Sequence, residues 1–145
     1  MKQLALVLML QVTWLSAQQY TNTWQVLAKV AYKKAYDDLL GIAVDKPIFS
    51  QDVRKLEGSR IRLSGYIIPT DGFKSHKEFV FSAFPYSSCF FCGQAGPETV
   101  VEIEARQPID YMSDIIVLEG VLHLNTKDVN RLMYHLSDVV RVKQN

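Results

Sequence analysis

The amino-acid sequence predicts a mostly β fold: a small, curved, antiparallel OB-like β-barrel (the oligonucleotide/oligosaccharide-binding shape) with one helix before the last strand. Three observations lead there. Several short segments alternate apolar and polar residues with the period of two that a half-buried strand requires. One of them carries Gly120 in mid-strand, where a long strand bends to curve a sheet. A single stretch of helical period, near the C-terminus, precedes the last of them.

The elements follow in order. Met1-Lys2-Gln3, the uncharged run Leu4 to Leu10, and the small residues Ser16-Ala17 make a basic start, an apolar middle and a small residue before a cut. That is the secretion-signal pattern, and the run is short of the roughly 20 apolar residues that span a bilayer. Residues 1–17 are therefore expected to be a signal peptide, leaving no membrane span and a protein that is exported, periplasmic or extracellular. Residues 18–58 are expected to form an entry segment packed on the barrel, and 59–145 the OB-like β domain. In the entry segment a helical turn over 24–28 precedes a strand over 29–34. Gly41 and Pro47 then punctuate a loop, and Ser50 caps a short helix from Gln51 to Leu56 that Gly58 ends.

From Arg60 the period is two. Ile61, Leu63, Gly65 and Ile67 share one face until Pro69 stops the strand, and Thr70-Asp71-Gly72 makes a turn. A second strand over 78–84 places Phe79, Phe81 and Ala83 together. The loop 85–98 follows, with two prolines, two glycines and both cysteines. A third strand runs over 99–105 and a fourth over 114–124, with Ile116, Leu118, Leu122 and Leu124 inward. Asn125 or Thr126 then caps a helix from Lys127 to Ser137 with the stripe Val129, Leu132, Met133, Leu136, before a last strand from Val139 to Val142.

Charge narrows the functions. Removing residues 1–17 takes away one Lys and no acid, leaving 15 basic against 15 acidic side chains in 128 residues. A chain with no basic excess is not expected to bind nucleic acid or to hold acidic lipid by charge. No Gly-x-Ser-x-Gly, phosphate-binding loop or dinucleotide-binding pattern occurs. These absences lean away from an enzyme.

The one chemically suggestive element is Cys89-Phe90-Phe91-Cys92. Two thiolates with two residues between them grip one metal ion from a single turn, which is half of a zinc site, and thiolates also suit copper(I). No second Cys-x-x-Cys exists, so further ligands must come from His76, His123, His135, Glu98 or another carboxylate. His76, in the polar turn Lys74 to Lys77, is the histidine that one hairpin would bring toward the Cys loop. A second reading makes the pair a disulfide that tightens a very short ring. A third makes it a thiol–disulfide oxidoreductase site, although the Gly-Gln-Ala-Gly-Pro that follows is loop and not the helix such sites use.

Gly65-Tyr66-Ile67-Ile68-Pro69, the aromatic strand ending at Phe84-Pro85 and the Cys-bearing loop resemble an uncharacterised family of small exported bacterial domains. The likeness spans residues 24 to 142. Because the family has no established activity, the resemblance implies export and class rather than mechanism. Family members carry Cys-x-His and then a proline-rich loop. Here Cys89 holds the family cysteine's place, Phe91 falls where the His would be, and Cys92 comes one residue later.

The expected function is therefore metal handling or delivery, with zinc or copper held by Cys89, Cys92 and His76. The alternative is a structural or interaction module whose aromatic loop, with Phe90, Phe91 and Glu98, docks a protein partner.

Overall fold

The computed structural model describes residues 23–69 and 75–143. The signal-like segment 1–17 and the turn Thr70-Asp71-Gly72 lie outside the described residues.

A helical segment over residues 23–27 opens the chain, with Ala28 N–H donating to the Trp24 carbonyl at 2.9 Å. Its Leu27 is fully buried, and the Trp24 indole donates to the Ser64 carbonyl at 2.9 Å. β1 (Val30–Asp37) and β2 (Ile42–Phe49) form an antiparallel hairpin in register from Val30–Phe49 to Asp37–Ile42. The Asp37 carboxylate accepts from the Leu39 and Leu40 N–H groups at 3.1 Å and so fixes the turn. The segment read from sequence as a loop between Gly41 and Pro47 is thus a strand. Pro47 is tolerated because β2 is an edge strand: among the described residues β1 is its sole partner. Ser50 then caps a one-turn helix, Gln51–Arg54, its hydroxyl accepting from Val53 N–H.

The barrel has five strands: β3 (Arg60–Ile68), β4 (Ser75–Ser82), β5 (Val100–Asp110), β6 (Ile116–Leu124) and β7 (Tyr134–Val142). It closes in the order β3-β4-β5-β7-β6. The predicted small OB-like barrel is therefore present, and the protein is mostly β. Four seams are antiparallel, whereas β5 and β7 run parallel. Leu63, Phe81, Val101, Leu118, Leu122 and Leu136 fill the interior, each at most 1% exposed. Gly120 lies where β6 shifts register against β7 between Glu119 and Val121. A Cβ there would stand 2.5 Å from Val139 Cγ2 and 2.9 Å from the Ser137 carbonyl, so the close crossing needs glycine. Among the described residues no helix is long and apolar enough to cross a membrane.

The helix expected from Lys127 to Ser137 does not form. Residues 125–133 are an irregular loop, and β7 begins at Tyr134. Two causes combine. Closing the barrel requires a strand long enough to pair with both β5 and β6, which a helix over 127–137 would leave with open edges. Asn125 stabilises the alternative: its Oδ1 accepts from the Lys127 and Asp128 N–H groups, and its Nδ2 donates to the Asp128 and Leu132 carbonyls. The cap residue was real, but it caps a turn.

Candidate functional site

The loop between β4 and β5 carries the cysteines. Ala83 N–H donates to the Thr99 carbonyl at 3.0 Å and closes the loop at its base. Three one-turn 3₁₀ segments follow within it: Tyr86–Ser88, Phe90–Cys92 and Pro97–Thr99. Cys89 is the residue before the second turn and Cys92 its last. Cys92 N–H donates to the Cys89 carbonyl at 3.1 Å, and Gly93 N–H to the Phe90 carbonyl at 2.9 Å. Gly93 ends the turn at φ +72°, in the left-handed region that a side chain would oppose.

This geometry has a chemical consequence. In a 3₁₀ turn, side chains three residues apart lie one above the other. Cys89 itself is extended (φ −84°, ψ 175°) just before the turn, yet its carbonyl accepts from the Cys92 N–H, so the turn brings the two cysteines beside each other. Their surroundings differ. Cys89 is fully buried and Cys92 is exposed; both are free thiols. The Cys92 Sγ donates to the Tyr86 carbonyl at 2.9 Å. Local desolvation first, then the neighbouring Cys89 thiol, push Cys92 above the ordinary thiol range. The segment that follows Cys89 is three residues long and not an α-helix, so the dipole that lowers a redox-active cysteine is lacking.

The other residues singled out from sequence divide. Phe90 and Phe91 pack edge to face, with centroids 5.3 Å apart, and Phe91 is half exposed. Glu98 accepts from the Tyr32 hydroxyl at 3.0 Å, tying the loop to the hairpin. Burial first, then the Glu98 hydrogen bond and charge, raise the Tyr32 hydroxyl above its ordinary value. His76 is separated from the pair: its backbone lies at the start of β4, opposite Ile109, with the Cys loop beyond the strand's other end at Ser82. Six residues of strand make roughly 20 Å. The His76 side chain lies outside the described residues. Among the described residues, no group of three or more His, Cys, Asp or Glu side chains is placed to hold one metal ion.

Two features escaped the sequence reading. The first is a groove of about 690 Å³ between the hairpin, the Cys loop and the 125–133 loop, lined in part by Tyr32, Pro47, Phe90, Pro97, Leu132 and Met133. It depends on β2, a segment read as loop, and on the 125–133 loop, read as helix. The second is a row on the outside of the barrel. His123 and His135 are register partners on β6 and β7, with rings 5.6 Å apart. Glu57 lies 3.7 Å from His123 and Glu104 lies 3.5 Å from His135. The Ser137 hydroxyl contacts His123 Nε2 at 2.7 Å. Burial first, then the charges of Arg131 and His123, hold His135 below the ordinary imidazole range, partly offset by Glu104 and Glu102.

No family model, curated protein or solved structure matches the chain. The resemblance to small exported bacterial domains rests on the Gly65–Pro69 strand, the aromatic strand ending at Phe84-Pro85 and the Cys loop.

Proposed function

We propose that this is an exported domain that binds copper(I) through Cys89 and Cys92, in the service of metal handling or delivery. The observation that carries the reading is the pair itself: two free thiols at the two ends of one 3₁₀ turn, which Gly93 closes in a left-handed conformation. A soft monovalent ion is satisfied by two thiolates, whereas a structural zinc site takes four ligands. The pair alone therefore suits copper(I) better than zinc. The exposure of Cys92 leaves one side of the clamp open to solvent, so a donor or acceptor could reach the ion there.

The test is a titration of the fully reduced protein with copper(I) against a coloured copper(I) chelator, without oxygen. The expected result is one copper(I) per chain, lost when Cys89→Ser and Cys92→Ser are combined. Circular dichroism of the double variant checks that the barrel is intact. Unchanged copper uptake by a folded double variant would sink the reading.

A further inference from the structure

The two thiols are chemically alike but differ in access. Cys89 is fully buried, at 0% exposure, and Cys92 faces solvent. A disulfide in solution must approach its attacking sulfur along the line of the bond that breaks, and only Cys92 leaves that approach open. Cys89 is three residues earlier, at the start of the same turn, where its carbonyl accepts from the Cys92 N–H and its side chain is screened from any external disulfide. It is placed to attack a sulfur bound at Cys92 and nothing else.

We propose that this turn is a thiol–disulfide modification site, entered through Cys92 and closed by Cys89, with a small organic disulfide as oxidant. The proposal extends the copper(I) reading and rests on it only for its consequence for metal. In the first step the Cys92 thiol gives its proton to solvent, and its sulfur attacks one sulfur of the disulfide R–S–S–R. A Cys92–S–S–R bond forms, the R–S–S–R bond breaks, and one thiolate leaves and takes up a proton. In the second step Cys89, deprotonated in turn, attacks the Cys92 sulfur and displaces the second thiolate, which is also protonated. Two protein thiols are oxidised to one disulfide, and one R–S–S–R is reduced to two R–SH. The entry order is the reverse of that in thioredoxin-like sites, where the first cysteine begins the exchange. Once joined, the sulfurs offer no thiolates, so the oxidised turn takes no copper(I).

The experiment uses the full reduced chain with oxidised glutathione as the probe, quenched by alkylation and mapped by mass spectrometry. Cys89→Ser is expected to accumulate a glutathione adduct on Cys92. Cys92→Ser is expected to react at least about tenfold more slowly. Because Cys89 is a core residue, the order is also read on the wild-type protein: a limiting dose of iodoacetamide should label Cys92 at least about tenfold faster than Cys89. Equal labelling, or an adduct forming first on Cys89, would overturn the proposal. Copper titration of the reduced protein separates the two readings. Copper binding with Cys89 reacting first defeats this inference alone, whereas a Cys92-first order without copper binding defeats only the metal reading.

Discussion

The barrel and the hairpin are both antiparallel β-structure, yet they are held by different forces. Around the barrel every strand has two neighbours, and its inward side chains meet in one interior. The hairpin, among the described residues, has two strands that pair only with each other. It exposes Tyr36, Leu39 and Ile42, with Leu39 at 94%. What fixes its tip is local, the Asp37 turn, whereas its base is tied to the barrel by Phe49, buried against Tyr134, and by the Tyr32 hydroxyl on Glu98. Apolar burial therefore secures the barrel throughout, whereas in the hairpin it reaches only the base and hydrogen bonds hold the tip. The Cys loop and the 125–133 loop lie where the two meet.

The comparison breaks most sharply by substitution. Phe81→Ala, at a fully buried position on β4, should cost about 3–5 kcal/mol in urea unfolding. Leu39→Ala, at the exposed hairpin tip, should stay within about 0.5 kcal/mol. A large loss from Leu39→Ala would mean that the tip is covered in solution. The junction should respond less than the interior. The Tyr134 hydroxyl, buried in β7, donates to the Leu27 carbonyl at 2.6 Å and so ties the entry helix to the barrel. Tyr134→Phe leaves that carbonyl unpaired and should cost about 1–3 kcal/mol, with faster hydrogen exchange over residues 23–29 than in the strands.

The smallest effect should be electrostatic and confined to the outer face of the barrel. His135 is held below its ordinary range, so the fold favours the neutral ring. Its contribution is present above the unfolded imidazole value of about 6.5 and is lost as pH falls below that value and through the lower folded one. The carboxyls of Asp52 and Asp138 are lowered as well, by Lys29 and Arg106 in turn, so their contribution is also lost as pH falls, but only in more acidic solution. Thermal melts at pH 7.5 and 5.5 should therefore show a drop in the wild-type protein that His135→Asn reduces. An equal drop in both proteins would remove His135 as its cause.

Much of this fold was legible because alternation over a long strand has one reading. Ile61, Leu63 and Ile67, or Ile116, Leu118 and Leu122, can be buried together on a strand and in no helix, and all are buried. The stretch 127–137 was not legible, because Leu132, Met133 and Leu136 fit a helical stripe while Tyr134, Leu136 and the bulged step to Val139 fit a strand. Asp138 sits at φ +55° at that step, where no local pattern announces a bulge. The Cys pair was visible as spacing. That the turn is 3₁₀, with one thiol buried and the other exposed, was not.

The sequence by itself determined which residues face inward on β3, β4, β5 and β6, because side-chain alternation is a property of the strand alone. It also supplied the caps, at Ser50 and Asn125, since those side chains bond backbone groups two or three residues away. The tertiary structure decided the rest. β7 is a strand because β5 and β6 need a neighbour, and the hairpin overhangs the barrel end because Tyr32 meets Glu98 across 66 residues. The groove, the His123–His135 row and the unequal exposure of Cys89 and Cys92 arise between segments distant in the chain, where no local spacing encodes which side chains will be covered.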